Sequence, residues 1–343
     1  MNIFNISGTP AQIGEQLGQL GKTAWHTKIK HTELWQQLQP FQHSEQILAL
    51  QQLVYADFPE IWEEIVGLAK GLDDDVMTVF LWNCRGDVLP STFDGCTTII
   101  GKNTQGHTIV AHNEDGLPEL IDDCFLVNAT TSEGVSFFSF AYPASLCGHT
   151  FSVNCFGIVN TVNNLRIKTK NQGYPRQILA RAALNQTDIQ DVLNLLLYAR
   201  VGGFHHTLVQ KKPHQKTCAL SVEALGQRSQ VVDVQEIRLH ANHVIYDDST
   251  EQIITRSSKE RQHRLESLFD GQTHLTHLEC LQALFDTSNS EFPIYRASPF
   301  DSDHENTIAT VIFTVQAGKV AWELFRKGSD TPENKGEVCL MNQ

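Results

Sequence analysis

The chain has 343 residues, of which 41% are hydrophobic and 19% charged, and a formal net charge of −13. This composition is typical of a globular protein with a substantial core, not of a disordered chain. The negative charge disfavours a general surface for nucleic acid or anionic lipid, and no apolar run approaches the roughly 18 residues of a membrane-spanning helix. The first residues lack a signal-peptide pattern, so we expect a cytoplasmic protein without nucleic-acid or membrane partners.

The first part of the chain, to about residue 90, is predicted to be helical. Thr9-Pro10-Ala11-Gln12 combines an N-cap, a proline at the first helical position and a capping-box glutamine. Apolar residues then recur at helical spacing, which predicts further helices over residues 44–56, 59–70 and 75–87.

From residue 96 onward the pattern is that of sheets covered by helices. Short β-rich runs between Gly, Asn and Asp residues predict strands over 97–100, 108–111, 125–129, 135–140, 150–155, 157–161, 206–210, 218–222, 309–314 and 320–324. Helices are predicted over 175–183, 188–198, 258–269 and 275–285.

The cysteine and histidine patterns predict free thiols and no metal site. None of the eight cysteines belongs to a Cys-x-x-Cys pair, so they read as reduced and mostly buried small hydrophobes. The histidines include no His-Glu-x-x-His motif. The adjacent pair His205-His206 would point to opposite faces of a strand, which disfavours a shared ion. We therefore expect no metal cofactor.

The segment Asp94-Gly95-Cys96-Thr97-Thr98 is typical of a peptide bond that cleaves itself. A small flexible residue precedes a cysteine, and two hydroxyl residues and a β-prone run follow. Cleavage between Gly95 and Cys96 would leave Cys96 with a thiol and a free α-amine, a nucleophile and a base in one residue. Taken alone, a Gly-Cys pair more often marks a buried structural cysteine after a turn.

A second candidate segment is Asn113-Glu114-Asp115-Gly116. A hairpin that begins at Cys96 and returns at Ala111 would bring this segment back beside Cys96. Asp115 would then orient the ammonium group or the substrate. On its own the segment is more typical of a turn.

Two further segments contribute asparagines. Asn160, Asn163 and Asn164 lie close together in a run that favours a turn. Asn242, within His240-Ala241-Asn242-His243, could donate an amide N–H to a developing oxyanion, a contribution of a few kcal/mol when preorganised. In isolation that segment is typical of a loop.

The order of these motifs resembles that of one family. The motifs are Gly8-Thr9-Pro10 with Ile13-Gly14, Asp94-Gly95-Cys96-Thr97-Thr98, Asn113-Glu114-Asp115, the Gly157 and Asn160 region, His240-Ala241-Asn242-His243 followed by Ser257-Ser258 and Arg261, and Phe292-Pro293-Ile294-Tyr295-Arg296. Spread over nearly the whole chain, they are similar to those of the acyl-coenzyme A:isopenicillin-N acyltransferase family, peptidase family C45, among the N-terminal-nucleophile hydrolases.

The resemblance implies an α+β fold, a four-layer αββα sandwich, as a single domain over residues 1–343. It also implies self-cleavage between Gly95 and Cys96. The products would be a helical α-subunit, residues 1–95, and a catalytic β-subunit, residues 96–343, which remain associated.

The resemblance also assigns catalytic roles. Cys96 would attack an amide or thioester carbonyl, with its α-amine as the base, since the reference pKa of that amine, near 7.7–8.0, suits neutral pH. Asp115 would orient this centre, and the Asn242 side chain with a backbone N–H would hold the oxyanion. Gly95 lacks a Cβ, so the strained backbone of an N-to-S acyl shift is accessible there.

Two positions depart from the family pattern. His304 stands three residues before Thr307, where the penicillin-forming member has an arginine, and Glu114 replaces the usual aromatic residue. With Asn113 and Asn160, these two are the candidate substrate-pocket residues. Both departures count against a penicillin substrate and leave self-cleavage and amide chemistry intact.

The expected function is that of an autoprocessing amidohydrolase or acyltransferase, acting on a linear non-peptide C–N amide through an acyl-Cys96 intermediate. The partner would be a small-molecule amide or acyl substrate, with no cofactor beyond acyl-coenzyme A as co-substrate in a transfer reaction. One alternative is a bile-acid or ceramide-type amide hydrolase, which needs a broad apolar pocket. The other is a non-catalytic scaffold that binds an acyl ligand.

Overall fold

The computed structural model describes residues 1–89, 95–168, 172–226, 228–297 and 305–340. Its helices within these ranges are α1 (Pro10–Thr27), α2 (Glu33–Leu38), α3 (Glu45–Asp57), α4 (Pro59–Leu72), α5 (Val76–Asn83), α6 (Arg85–Val88), α7 (Arg176–Ala183), α8 (Ile189–Leu196), α9 (Arg256–Leu268) and α10 (His277–Leu284). None of the helices in the described ranges is both long and apolar enough to cross a membrane.

Two sheets carry the β-structure of the described residues. Their strands are β1 (Ile3–Gly8), β2 (Gly95–Lys102), β3 (Thr108–Gly116), β4 (Phe125–Thr131), β5 (Ser136–Ala141), β6 (Phe151–Asn154), β7 (Val159–Leu165), β8 (Gly203–Gln210), β9 (Cys218–Ala224), β10 (Gln230–Asp233), β11 (Arg238–His240), β12 (Asn306–Gln316), β13 (Lys319–Phe325) and β14 (Asn334–Cys339). The eight-stranded sheet has the order β1-β4-β5-β6-β7-β8-β9-β10, and the six-stranded sheet the order β11-β2-β3-β12-β13-β14.

The β2–β3 hairpin separates two apolar environments. Ile100 and Val110 face each other and join the main core with residues of the eight-stranded sheet. Ile99 and Ala111, one position along, belong to a second core with residues of α9 and α10. Because side chains alternate along a strand, the hairpin presents one face to the other sheet and one to these helices.

Most predicted elements are confirmed. The capping box forms at the start of α1, and α3 and α4 lie where periodicity predicts them. The helix predicted over 75–87 is divided at Cys84 into α5 and α6. The all-helical expectation for the first segment is wrong, because Ile3–Gly8 forms a strand parallel to β4. All eight cysteines are free thiols, as predicted.

The two turn expectations are also wrong. Asn113 to Gly116 continue β3, and the asparagine run lies within β7. Asparagine weakens strands when its amide competes for the local backbone. Here the amides of Asn113 and Asn163 instead bind groups from distant segments, which removes that competition.

Helices α1 and α4 approach closely through glycines. A Cβ on Gly14 would overlap the carbonyl oxygen of Glu64, and a Cβ on Gly67 would overlap that of Ala11. The two backbones therefore occupy the space that side chains would need.

Replacing Gly67 by alanine is expected to lower the free energy of unfolding by about 1–3 kcal/mol, because the helices must move apart. Urea denaturation measures this change. Val66→Ala, at an exposed position of the same helix, is the control. An equal loss in both variants would contradict the close-approach argument.

Candidate active site

Cys96 lies second in β2 and is buried, with 3% of its surface exposed. Its backbone N–H donates to Asn242 Oδ1 at 2.9 Å. Its carbonyl oxygen accepts from Arg261 Nη1 at 2.6 Å. Both peptide groups of this residue are therefore fixed by side chains that arrive from a distant part of the chain.

Arg261, on α9, positions this end of β2. Its guanidinium also donates to Thr97 Oγ1 at 2.8 Å and to Asn242 Oδ1 at 2.7 Å. The Asn242 backbone N–H donates to Ser258 Oγ at 2.8 Å, which ties the loop after β11 to the same helix. The planar fork of arginine suits this task because it reaches several oxygens at once.

Asn242 lies against Cys96, but with the opposite end of its amide from the one expected. The oxygen faces the cysteine, whereas Nδ2 donates to the Asn164 carbonyl at 3.2 Å. In the uncleaved chain Asn242 therefore holds the Cys96 nitrogen. Its role towards an oxyanion stays a prediction.

Gly95 and Asp115 share the other face of the hairpin. They are direct partners in the β2–β3 register, as are Cys96 and Glu114, so Asp115 adjoins Gly95 and not the thiol. Asp115 Oδ1 accepts from Thr307 Oγ1 at 2.7 Å, and its buried Oδ2 has no hydrogen-bond partner among the described residues.

A buried charged triad adjoins Gly95. Glu305 accepts from Arg166 at 3.1 Å and from Arg296 at 2.5 Å. A Cβ on Gly95 would overlap the Glu305 carboxylate. A larger residue at this position would force the carboxylate out of its contacts with the two arginines.

Glu114 lies on the same face as the thiol. Its Oε2 is 3.9 Å from Cys96 Sγ and 3.2 Å from His112 Nε2, while its Oε1 accepts from Tyr142 OH at 2.9 Å. All three partners are buried. His112 was missed by the sequence reasoning, although the two-residue spacing from Glu114 on a strand already places both side chains on one face.

A narrow cavity of about 20 Å³, the scale of one or two water molecules, adjoins Cys96 in the described part of the structure. Residues on both sides of the predicted cleavage point line it, among them Arg85 and Gly86 before it and Cys96, Glu114 and Arg176 after it. Most of the lining residues have polar or charged side chains.

The other pocket candidates are placed elsewhere. Asn113 faces the helices and donates to the Leu284 carbonyl at 2.8 Å. Asn160 Oδ1 bonds His206, and Asn164 lines the cavity in its place. His304 lies outside the described residues. Neither Asn113 nor Asn160 lines this cavity, because Asn113 lies on the other face of the hairpin and Asn160 bonds His206. Their role towards a substrate stays a prediction.

Within the described residues, one set of possible metal-binding groups is close enough to share an ion. Cys96, His112 and Glu114 offer donor atoms within 4.8 Å of one another. The contacts form a hydrogen-bonded series from the thiol to the imidazole. We assign no metal to it.

Several imidazoles are buried in the polar interior. Burial lowers the pKa of His112 to about 3 and the pKa of His205 and His206 well below the usual value. The His205 ring stacks on that of His240, with centroids 3.5 Å apart. His112, His205 and His206 are therefore neutral in the folded chain.

Comparison with known proteins gives consistent relatives. A family model described as "Acyl-coenzyme A:6-aminopenicillanic acid acyl-transferase" matches residues 101–328. The chain is 24% identical over 358 aligned positions to the acyl-coenzyme A:6-aminopenicillanic-acid-acyltransferase 40 kDa form of Emericella nidulans, over 97% of this chain and 94% of that protein. It is 23% identical over 318 positions to the beta-alanyl-dopamine/carcinine hydrolase of Drosophila melanogaster, over 83% and 80% of the two chains.

The buried neutral histidines predict acid sensitivity. Below about pH 6.5 the unfolded chain binds protons that the folded chain does not. The free energy of unfolding therefore decreases as the pH is lowered, by up to about 2 kcal/mol per imidazole at pH 5. His206→Gln should flatten the dependence of the unfolding free energy on pH between 7 and 5. The exposed His274→Gln is the control, and an unchanged slope in His206→Gln would refute the assignment.

Proposed function

Because the chain belongs to the acyl-coenzyme A:6-aminopenicillanic acid acyl-transferase family, a family of enzymes that act on amides, we propose that it cleaves itself between Gly95 and Cys96. The new N-terminal cysteine then hydrolyses or transfers the acyl group of a linear amide. We also propose the four-layer αββα arrangement for its fold, which the two sheets and the packing of α9 and α10 support.

The observation that carries this proposal is the placement of the Gly95–Cys96 peptide. Gly95 is held against Asp115 and Glu305, while the Cys96 thiol is turned to the cavity. After cleavage the Cys96 nitrogen becomes an α-amine, and Asn242 Oδ1, already 2.9 Å from it, can hold it beside the thiol.

The catalytic cycle follows from these groups. The α-amine takes the thiol proton, the thiolate attacks the amide carbonyl carbon, and the leaving amine receives the proton. Water or a second amine then releases the acyl group from Cys96. Asp115, the register partner of Gly95, orients the centre, and the second hydrogen of Asn242 Nδ2 serves the oxyanion.

The cavity favours a small polar amide. Arg85 and Arg176 supply positive charge beside Cys96, and the space is narrow. A bile acid or ceramide would need a broad apolar pocket, so the charged lining favours a linear polar amide such as a β-alanyl amine, for which the cavity must widen. Acyl-coenzyme A is the co-substrate if the enzyme transfers the acyl group.

The two fragments are expected to stay together after cleavage. β1 of the first fragment pairs in parallel with β4 of the second. Glu64 and Arg181, one from each fragment, form a buried ion pair at 2.8 Å. Separation would expose an unpaired strand edge and the apolar core residues that the first fragment contributes, which is unfavourable.

Intact-mass spectrometry tests the proposal. The purified chain should give two fragments that meet at Gly95/Cys96, and Cys96→Ala should give one uncut chain without amide turnover. Cys280→Ala, which removes a buried thiol in the second core, should cleave normally. An uncut wild-type chain that binds acyl amides without turning them over would instead identify the acyl-binding scaffold.

A further inference from the structure

A directional series of hydrogen bonds lies behind the Cys96 thiol. Asn163 Nδ2 donates to two backbone carbonyls of the segment at the end of β11, each at 3.0 Å. This fixes the orientation of the amide, so Asn163 Oδ1 accepts from the Thr98 hydroxyl at 2.7 Å. Thr98 has one hydrogen and gives it to Asn163.

This arrangement assigns the tautomer of His112. Because the Thr98 hydroxyl already donates its only hydrogen to Asn163, it accepts a hydrogen bond from His112 Nδ1–H, at 2.8 Å. The neutral imidazole, favoured by the low pKa of this buried group, then directs the lone pair of Nε2 at Glu114 Oε2, 3.2 Å away. A carboxyl hydrogen on Glu114 Oε2, donated to His112 Nε2, completes the contact.

The uncleaved chain needs a base that the mature enzyme does not. Before cleavage the Cys96 nitrogen is a peptide amide and cannot accept the thiol proton. Resting on the self-cleavage proposed above, we propose that the Glu114–His112 pair takes the thiol proton in the uncleaved chain and returns it to the leaving nitrogen. Tyr142 positions the carboxyl group by donating to its Oε1.

The step balances as follows. The S–H bond breaks and its proton passes to Glu114 Oε2, as the carboxyl's own proton moves to His112 Nε2. The sulfur attacks the Gly95 carbonyl carbon, so that a C–S bond forms and the Gly95–Cys96 C–N bond breaks. The proton returns through Glu114 to the Cys96 nitrogen, which leaves a thioester and a free α-amine. Water then hydrolyses the thioester to the Gly95 carboxylate and the Cys96 thiol.

The test compares self-cleavage of the full chain in two matched variants. Glu114→Gln removes the proton-sharing carboxyl at constant size and should slow cleavage by about 100-fold or more, the usual contribution of a positioned base. Glu223→Gln makes the same change in another buried Glu–His pair, where Glu223 lies 3.0 Å from His240. It should cleave within about threefold of wild type. Time-resolved intact-mass spectrometry gives the rates, and circular dichroism checks the fold.

Three further experiments show which step of self-cleavage fails in the variants. Hydroxylamine cleaves a thioester, so it should leave Glu114→Gln uncut if the acyl shift is blocked, and cutting by hydroxylamine would overturn the assignment. Tyr142→Phe keeps the carboxyl group and should slow cleavage by about 10-fold, which supplies a readout if Glu114→Gln does not fold. EDTA should have no effect, and loss of cleavage with EDTA would favour a metal and overturn proton sharing.

The outcomes separate the two proposals. If wild type stays uncut, or Cys96→Ala cleaves as wild type does, self-cleavage itself is refuted. If wild type cleaves and Glu114→Gln cleaves at the same rate, self-cleavage stands and the role of the Glu114–His112 pair is refuted.

Discussion

The candidate site depends on the register between β2 and β3. This pairing sets Gly95 opposite Asp115 and Cys96 opposite Glu114. Alternation then sends the two sides of one peptide bond to different faces of the sheet. A shift by one residue would exchange these environments and move the thiol against the charged triad. The remaining contacts of the site act on a bond whose position this register has already determined.

The two faces differ in chemistry as well as in position. The face of Gly95 carries fixed charges, in which Glu305 lies between Arg166 and Arg296. The face of Cys96 carries a series of groups that can exchange protons, from Glu114 through His112 to Thr98. Strong buried ion pairs suit the holding of a backbone in one geometry, because breaking them is costly. Hydrogen-bonded neutral groups suit proton movement, because the charges that form remain connected by hydrogen bonds in the interior.

Sequence patterns within a single helix or hairpin predicted the elements that depend only on neighbouring residues. Periodicity and capping were sufficient to predict α1, α3 and α4. Short β-rich runs were likewise sufficient to predict the hairpin that returns to Cys96. Tertiary contacts decided the rest. Asn113 and Asn163 form strands because their amides bind backbone groups far away in the chain. Arg166 and Glu305 are 139 residues apart, and neither has a local pattern that indicates the pairing.

The short first strand has a thermodynamic consequence for a cleaved enzyme. β1 forms an edge of the eight-stranded sheet, although it precedes the proposed cleavage point by many residues. If the chain is cut as proposed, that edge would belong to a separate molecule, and refolding would become a bimolecular reaction whose yield depends on concentration. The mature protein would then persist because its fragments separate slowly, in the manner of a kinetically stable complex. A chain that folds first and is cut afterwards would reach the assembled state without this concentration dependence. Separated fragments at low concentration would regain that state only slowly.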